Sequence, residues 1–385
     1  MTSLISLLAR RFPTRQKSTT RRIDKGNHRA SAWRREGERS VKAESLRKYR
    51  RQRFGHGTQE ALASRTILIA RYRLAFSDGP LTGPYLCQGD RMSSSPLLLV
   101  VDPIHFEVSY AINPWMQPGA WAEDPSRHRD EARKSFDAFK SALSNTGAQI
   151  DVMPGIAGLP DMVFPANAAV ILDRRAMVAR FRYPERRGEE QPFLDYFLGL
   201  KARGILDVVT QFSPKCFQEG AGDCIWDIVR GRFWAGFGQR STREAADEAS
   251  DFFGQSVTTL ELISPRFYHL DVCFCPLSGG EVLYYPPAFS PEALAQIHDL
   301  VSPDKRIEAS DEDAARFTVN AVNIGKEIVM ASAAPRLVAR LAEHGYNVRQ
   351  VDLSPFIMAG GGAYCMSLRL DRMSETAALP ISALP

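Results

Sequence analysis

Cys365 follows three consecutive glycines in FIMAGGGAYCMSLRL (356–370). A lone cysteine is most often a small buried hydrophobe. One that follows a flexible glycine loop and opens a final strand has the backbone clearance a nucleophile needs. It also needs a histidine or a cation to lower its thiol from about 8.5. The stretch YHLDVCFCPL (268–277), read as a strand, alternates His269, Asp271, Cys273 and Cys275 onto one face. Metal ligation by all four competes as a reading, but ligands two apart on one strand rarely close a tetrahedral site. His269 and Asp271 therefore read as a catalytic pair at the strand end, with the two cysteines as core.

In FQEGAGDCIWD (217–227), Glu219 and Asp223 straddle a Gly-Ala-Gly turn, so two carboxylates emerge together. A surface turn would be the plainer reading. Flanking Phe217, Cys224, Ile225 and Trp226 argue instead that it is at least partly buried. LPDMVFPANAAVIL (159–172) is an apolar strand pattern interrupted by Asp161, Pro165 and Asn167. An amide in such a run must find partners or be costly to bury. FRYPERRGEE (181–190) follows with Arg186 and Arg187, for which a solvated loop is the plainer reading. Carboxylates beside a nucleophilic cysteine would repel its thiolate unless they face a cationic substrate. Arginines suit a carboxylate on that substrate. An amino acid with a guanidinium group satisfies both demands.

The elements that must carry these residues repeat five times. An amphipathic helix ends, often at a glycine, and a short strand follows, at 135–155, 192–214, 241–265, 290–310 and 332–355. Gly147, Gly204, Gly254 and Gly345 stand where a helix stops on a left-handed residue; the fourth unit lacks the glycine. Pro154, Pro214, Pro265 and Pro355 are expected to end the strands. Paired apolar strands at 162–172, 232–238, 280–287 and 327–333 lie between the units. Five such units suggest radial repetition. An open α/β sheet is the alternative, but GxGxxG and Walker signatures are absent.

The formal charge of +5 hides an asymmetry. Residues 1–91 hold 21 Lys+Arg against 7 Asp+Glu; subtracted from totals of 49 and 44, that leaves 28 against 37 in the rest. The basic head reads first as the product of an upstream start, with Met92 opening the natural chain. A mitochondrial transit segment is the alternative, because the apolar stretch LISLLA is too short for a secretory signal. The six cysteines form no CxxC pair, so free thiols in a reducing, cytoplasmic setting are expected. Neither nucleic acid nor a membrane is expected as a partner, and self-association is left open.

The motifs PDMVF-x-x-N, RRGE, EGAGD, GQRST, HLD and GGGAYC occur in that order. Together they resemble the guanidine-modifying, or pentein, superfamily, over roughly Leu97 to Leu370. That superfamily includes arginine deiminases, dimethylarginine dimethylaminohydrolases and amidinotransferases. The resemblance implies a five-bladed pseudo-symmetric α/β propeller over 92–373, between the basic extension and a tail at 374–385. It implies no cofactor and no metal. It further implies Cys365 as nucleophile, His269 as acid and then base, and Glu219 as the carboxylate orienting it. Asp271 would bind the guanidinium nitrogens, Asp161 the substrate α-amino group, and Arg186 and Arg240 the α-carboxylate, with Arg243 as an alternative to Arg240. Asn113 would lie on a loop covering the site.

Two departures stand out. Gly-Ala-Gly replaces the usual Gly-Gly, which leaves the role of Asp223 open. Asn167 stands where deiminases and dimethylarginine hydrolases carry an aspartate. With INPWM, EGAGD and HLD, that is similar to the arginine dihydrolase branch, which converts arginine to ornithine, carbon dioxide and ammonia through bound citrulline. An amide can donate to citrulline's neutral ureido oxygen, where a carboxylate would repel it. A dimethylarginine hydrolase or single-step deiminase is the next reading. An amidinotransferase or a non-catalytic arginine-binding protein follows.

Overall fold

Strands such as Leu97–Val101 and Ala169–Leu172 read as continuous apolar runs because both of their faces are covered. The computed structural model describes residues 95–375; the expectations for the basic leader and for residues 376–385 lie outside the described residues. Within them run β1 (Leu97–Val101), β2 (Gln149–Met153), β3 (Ala169–Leu172), β4 (Arg175–Val178) and β5 (Val208–Gln211). Then come β6 (Cys224–Asp227), β7 (Arg232–Phe237), β8 (Ser256–Glu261), β9 (Phe274–Pro276) and β10 (Val282–Tyr284). The last are β11 (Arg306–Glu308), β12 (Val322–Ile324), β13 (Glu327–Met330), β14 (Asn347–Gln350) and β15 (Leu368–Arg369).

They form five three-stranded sheets, β15-β1-β2, β3-β4-β5, β6-β7-β8, β9-β10-β11 and β12-β13-β14. In every sheet the central strand pairs antiparallel with the first-written neighbour and parallel with the other. A parallel partner needs a long crossover, and a helix supplies each one.

The helices are α1 (Pro118–Glu123), α2 (Pro125–Ser144), α3 (Pro184–Arg187), α4 (Glu190–Ala202) and α5 (Ala245–Phe253). After these come α6 (Pro291–Leu300), α7 (Asp311–Ala315), α8 (Pro335–Glu343) and α9 (Ser354–Ile357). The crossovers are α2, α4, α5, α6 and α8, the five helices expected from the sequence rhythm. Gly147, Gly204, Gly254 and Gly345 all take positive φ, between 67° and 87°. Helix α6 instead stops on an extended Val301. Of the four prolines expected to end strands, only Pro154 adjoins one. Pro214 and Pro265 fall in the following loops, and Pro355 lies in the first turn of α9, where a missing N–H costs nothing.

The sheets pack through five apolar clusters. Leu99 and Val101 of β1 meet Ala169 and Ile171 of β3. Val170 and Leu172 meet Cys224 and Trp226. Ile225 meets Phe274, Cys275 meets Ile328 and Met330, and Val322 and Ile324 meet Leu98 and Val100. Alternate residues of β1, β3, β6 and β9 thus serve the clusters on either side, whereas β12 gives Val322 and Ile324 to one cluster and has Asn323 on its other face. The fifth cluster joins the last sheet to the first.

Two expected strands prove shorter. In 159–172 the backbone makes 3-10 turns at Pro160–Val163 and Pro165–Asn167, and the strand begins at Ala169. The two prolines lack the N–H a ladder requires. In 268–277, Leu270–Val272 is likewise a 3-10 turn and the strand is Phe274–Pro276, so His269 through Cys275 do not share one strand face. The same happens at Gly220–Gly222 before β6. A tight turn therefore leads into the first strand of a sheet, and the polar motif residues sit in or beside these turns.

Trp234 is wholly buried between two sheets, and its indole N–H donates to Asp227 at 3.0 Å. Trp234→Ala should cost about 3–5 kcal/mol of unfolding free energy. Denaturant titration followed by circular dichroism checks this, and a loss below about 1 kcal/mol contradicts the packing described.

Candidate active site

The turns bring the motif residues to one buried cluster. Glu219 is 0% exposed, and its Oε2 lies 2.7 Å from His269 Nε2 and accepts from Arg240 Nη1 at 3.0 Å. Its Oε1 accepts from the Arg182 backbone N–H at 3.1 Å. Burial alone would raise this carboxyl; the Arg240 charge and the His269 contact outweigh it and hold Glu219 well below the usual range. Arg240 also donates to the Ile112 carbonyl at 2.9 Å and lies between the Tyr183 and Tyr268 rings, 4.6 Å from each.

Cys365 Sγ is 3.2 Å from Asp271 Oδ2 and 3.1 Å from Asn320 Nδ2. Burial, then the Asp271 carboxylate, push the thiol well above its ordinary value. Burial likewise pushes Asp271 up to about 7, against the pull of His269. The sequence pairing of His269 with Asp271 is thus corrected: His269 pairs with Glu219, and Asp271 with the thiol. A tight turn, unlike a strand, sends neighbouring side chains in different directions.

Asn167 is held from both ends. Arg186 Nη1 donates to its Oδ1 at 2.8 Å, which turns the amide NH2 toward the Glu219 carbonyl at 3.3 Å and His269 Nδ1 at 3.5 Å. Gly222 has to be glycine here, since a Cβ would lie 2.2 Å from that NH2. Arg186, read from sequence beside a solvated loop, is buried: Glu189 clasps it bidentately at 2.9 and 2.8 Å. It also donates to the Asp161 carbonyl at 3.1 Å. Arg187 does face solvent, braced on the Phe181 and Arg182 carbonyls.

A narrow cavity opens onto this cluster, lined by Asn113, Asp161, Asn167, Arg186, Arg240 and Cys365 together with Phe164 and Tyr268. Asn113 joins the covering loop to the glycine turn by donating to the Ala359 carbonyl at 3.2 Å. Gly361 makes room for Phe164, whose ring a Cβ would approach to 2.1 Å. Asp161 Oδ1 and Asp271 Oδ1 are buried and have no hydrogen-bond partner among the described residues. Such oxygens are costly unless a donor arrives.

Arg186 and Arg240 line the cavity, and each is also paired with a carboxylate of the protein, Glu189 and Glu219. Arg243 is exposed and stacks on Phe237 at 5.6 Å, which leaves Arg240 as the arginine of that pair at the site. Asp223 diverges from Glu219 and acts as a strut. It accepts from Ser241 Oγ at 2.6 Å and from the Leu270 N–H at 2.9 Å. Cys273 and Cys275 turn their sulfurs to backbone carbonyls in the core, as expected.

The family described as N,N dimethylarginine dimethylhydrolase, eukaryotic, matches residues 103–371. The chain belongs to this family. It is 37% identical over 279 residues to the bifunctional arginine dihydrolase/ornithine cyclodeaminase ArgZ of Synechocystis sp., covering 72% of this chain and 38% of the relative. It is 34% identical over 302 residues to the N(G),N(G)-dimethylarginine dimethylaminohydrolase of Mycobacterium tuberculosis, covering 78% and 95%. The crystal structure of the substrate-bound N-terminal domain of ArgZ superposes with a TM-score of 0.69 at 36% identity, covering 73% of this chain and all of that one. The chain thus spans less than two-fifths of the bifunctional relative. The recognised superfamily, and its dihydrolase and dimethylarginine branch, are the ones these relatives represent.

Glu189, Asn320, Tyr268 and Ser241 join the site without having been singled out from sequence. Only Glu189 left a signal there, three residues after Arg186 in RRGE. Asp271 also sets a pH dependence. Its folded value of about 7 exceeds the ordinary 3.8, so the folded state holds the extra proton between them. Stability is then lost as pH rises through that window. Asp271→Asn should melt about 2 °C or more above the parent at pH 8, with the gain shrinking toward pH 4. Calorimetry across pH checks it; a pH-independent difference contradicts the assignment.

Proposed function

We propose that this chain hydrolyses the guanidinium group of L-arginine through Cys365, in two rounds that yield ornithine, carbon dioxide and ammonia. The observation that carries the reading is the pair of buried carboxylates, Asp161 and Asp271, each with an unpartnered oxygen. Asp161 shares a cavity with Cys365, and Asp271 sits against its sulfur. The pair fits a molecule with cationic groups at both ends, an α-ammonium at Asp161 and a guanidinium at Asp271. The dihydrolase and dimethylaminohydrolase relatives act, by their names, on such substrates.

The chemistry follows from the charges. The free thiol is protonated, and a guanidinium beside it offsets the Asp271 carboxylate that disfavours the thiolate. The sulfur then bonds to the guanidinium carbon and a carbon–nitrogen bond breaks, the thiol proton passing by way of His269 to the departing ammonia. His269, held by Glu219, next takes a proton from water, whose oxygen displaces the sulfur and leaves citrulline. In the second round the sulfur displaces ammonia from the ureido carbon of bound citrulline, a second water displaces the sulfur, and the resulting carbamate of ornithine loses carbon dioxide. Arginine and two waters thus give ornithine, carbon dioxide and two ammonia. Arg186 fixes the Asn167 amide so that its NH2 faces His269, where it can donate to the ureido oxygen.

The five sheets support a five-bladed pseudo-symmetric α/β propeller, with β15 completing the blade that β1 begins. Dimethylarginine hydrolysis is the second reading, favoured by the family's description and the mycobacterial relative.

Cys365→Ala should lower ammonia release from arginine by at least about 1,000-fold. Persistent turnover sinks the nucleophile. Asn167→Asp should shift products from ornithine toward citrulline, read by mass spectrometry after incubation with arginine and with methylated arginines. An unchanged ratio refutes the role of the amide. Methylamine release without ornithine replaces the dihydrolase reading with the second one.

A further inference from the structure

Asn320 is 0% exposed and precedes β12 by two residues, the place Asn167 holds before β3. Its Oδ1 accepts from the backbone N–H groups of Tyr364 at 2.9 Å and Cys365 at 3.2 Å. Its Nδ2 donates to the Asp271 carbonyl at 3.1 Å and to Cys365 Sγ at 3.1 Å. The two backbone donors can bind only the amide oxygen, so the NH2 must face the sulfur. The glycine turn is shaped around this amide, since a Cβ on Gly362 would lie 2.9 Å from Oδ1.

We propose that Asn320 is the positioning residue of the nucleophile, fixing the Cys365 backbone and side chain together and keeping an N–H donor on the sulfur through the reaction. The inference rests on Cys365 as nucleophile. Asp271 faces the sulfur from the Leu270–Val272 turn, and Tyr268 stands just before that turn. His269 lies beyond, bound to Glu219. Asp271 opposes a thiolate, while Asn320 and the Gly362 backbone favour it. The amide thus gives the sulfur a neutral donor that does not compete with a cationic substrate for the carboxylates.

Asn320→Asp keeps an acceptor for both backbone N–H groups and removes the donor. Asn320→Ser keeps a hydroxyl but falls short of the sulfur. For each, the pH profile of Cys365 alkylation by iodoacetamide is followed by peptide mass spectrometry without substrate, beside kcat and KM for arginine. The midpoint of alkylation should rise by about one pH unit or more. Turnover should fall more than about tenfold, with KM within about threefold. A parental midpoint and kcat in either folded variant overturn the proposal. So does failure of both variants to fold, which would make the amide purely architectural. Alkylation needs no turnover, so these outcomes stay separate from retained activity in Cys365→Ala, which would overturn the nucleophile itself.

Discussion

Glu219 is the group on which the rest of the site depends. A fully buried carboxylate is tolerable only when donors surround it, and here the donors come from different parts of the chain. His269 precedes β9, Arg182 follows β4, and Arg240 follows β7. Through Arg240 the same charge reaches the loop carbonyl of Ile112. One ionised carboxylate therefore orients the imidazole and ties the covering loop to the sheets. A second buried set, Arg186 with Glu189, does the same for Asn167.

The repeat explains how so many charged groups share one small volume. The first strands are largely apolar and most serve two clusters, which leaves little room on them for the site's polar side chains. The turn ahead of each has that room, because its backbone groups are already satisfied locally. Asn167, Asp271 and Asn320 each lie in or beside such a turn, with Glu219 and Asp223 at either end of another. The energetic tension of the site, with Asp271 raised by burial and Cys365 raised in turn by Asp271, is carried by turns that the surrounding clusters hold rigid.

Much of this was legible in the residues. The five crossover helices, their glycine stops and the paired strands at 232–238, 280–287 and 327–333 follow from periodicity and turn chemistry. Cys365, His269, Glu219, Asp271, Asp161, Asn167 and Asn113 do converge. What was not legible was direction. Alternation along a strand was the natural reading of HLDVCFC, but a 3-10 turn at Leu270–Val272 sends His269 to Glu219 and Asp271 to the sulfur. Sequence likewise shows the charges of Arg186 and Arg240 but not the carboxylates Glu189 and Glu219 that pair with them. Asn320 carried no signal, since an asparagine ahead of an apolar strand looks like any turn residue.

Strand β15 pairs with β1, and Asp371 caps the Leu97 N–H across 274 residues of chain. Closure over such a separation is slow in folding terms, because loop entropy is lost before the contact returns anything. Cys365, the proposed nucleophile, lies three residues ahead of that closing strand. Docking of β15 is therefore the contact that would carry the proposed nucleophile to the rest of its site.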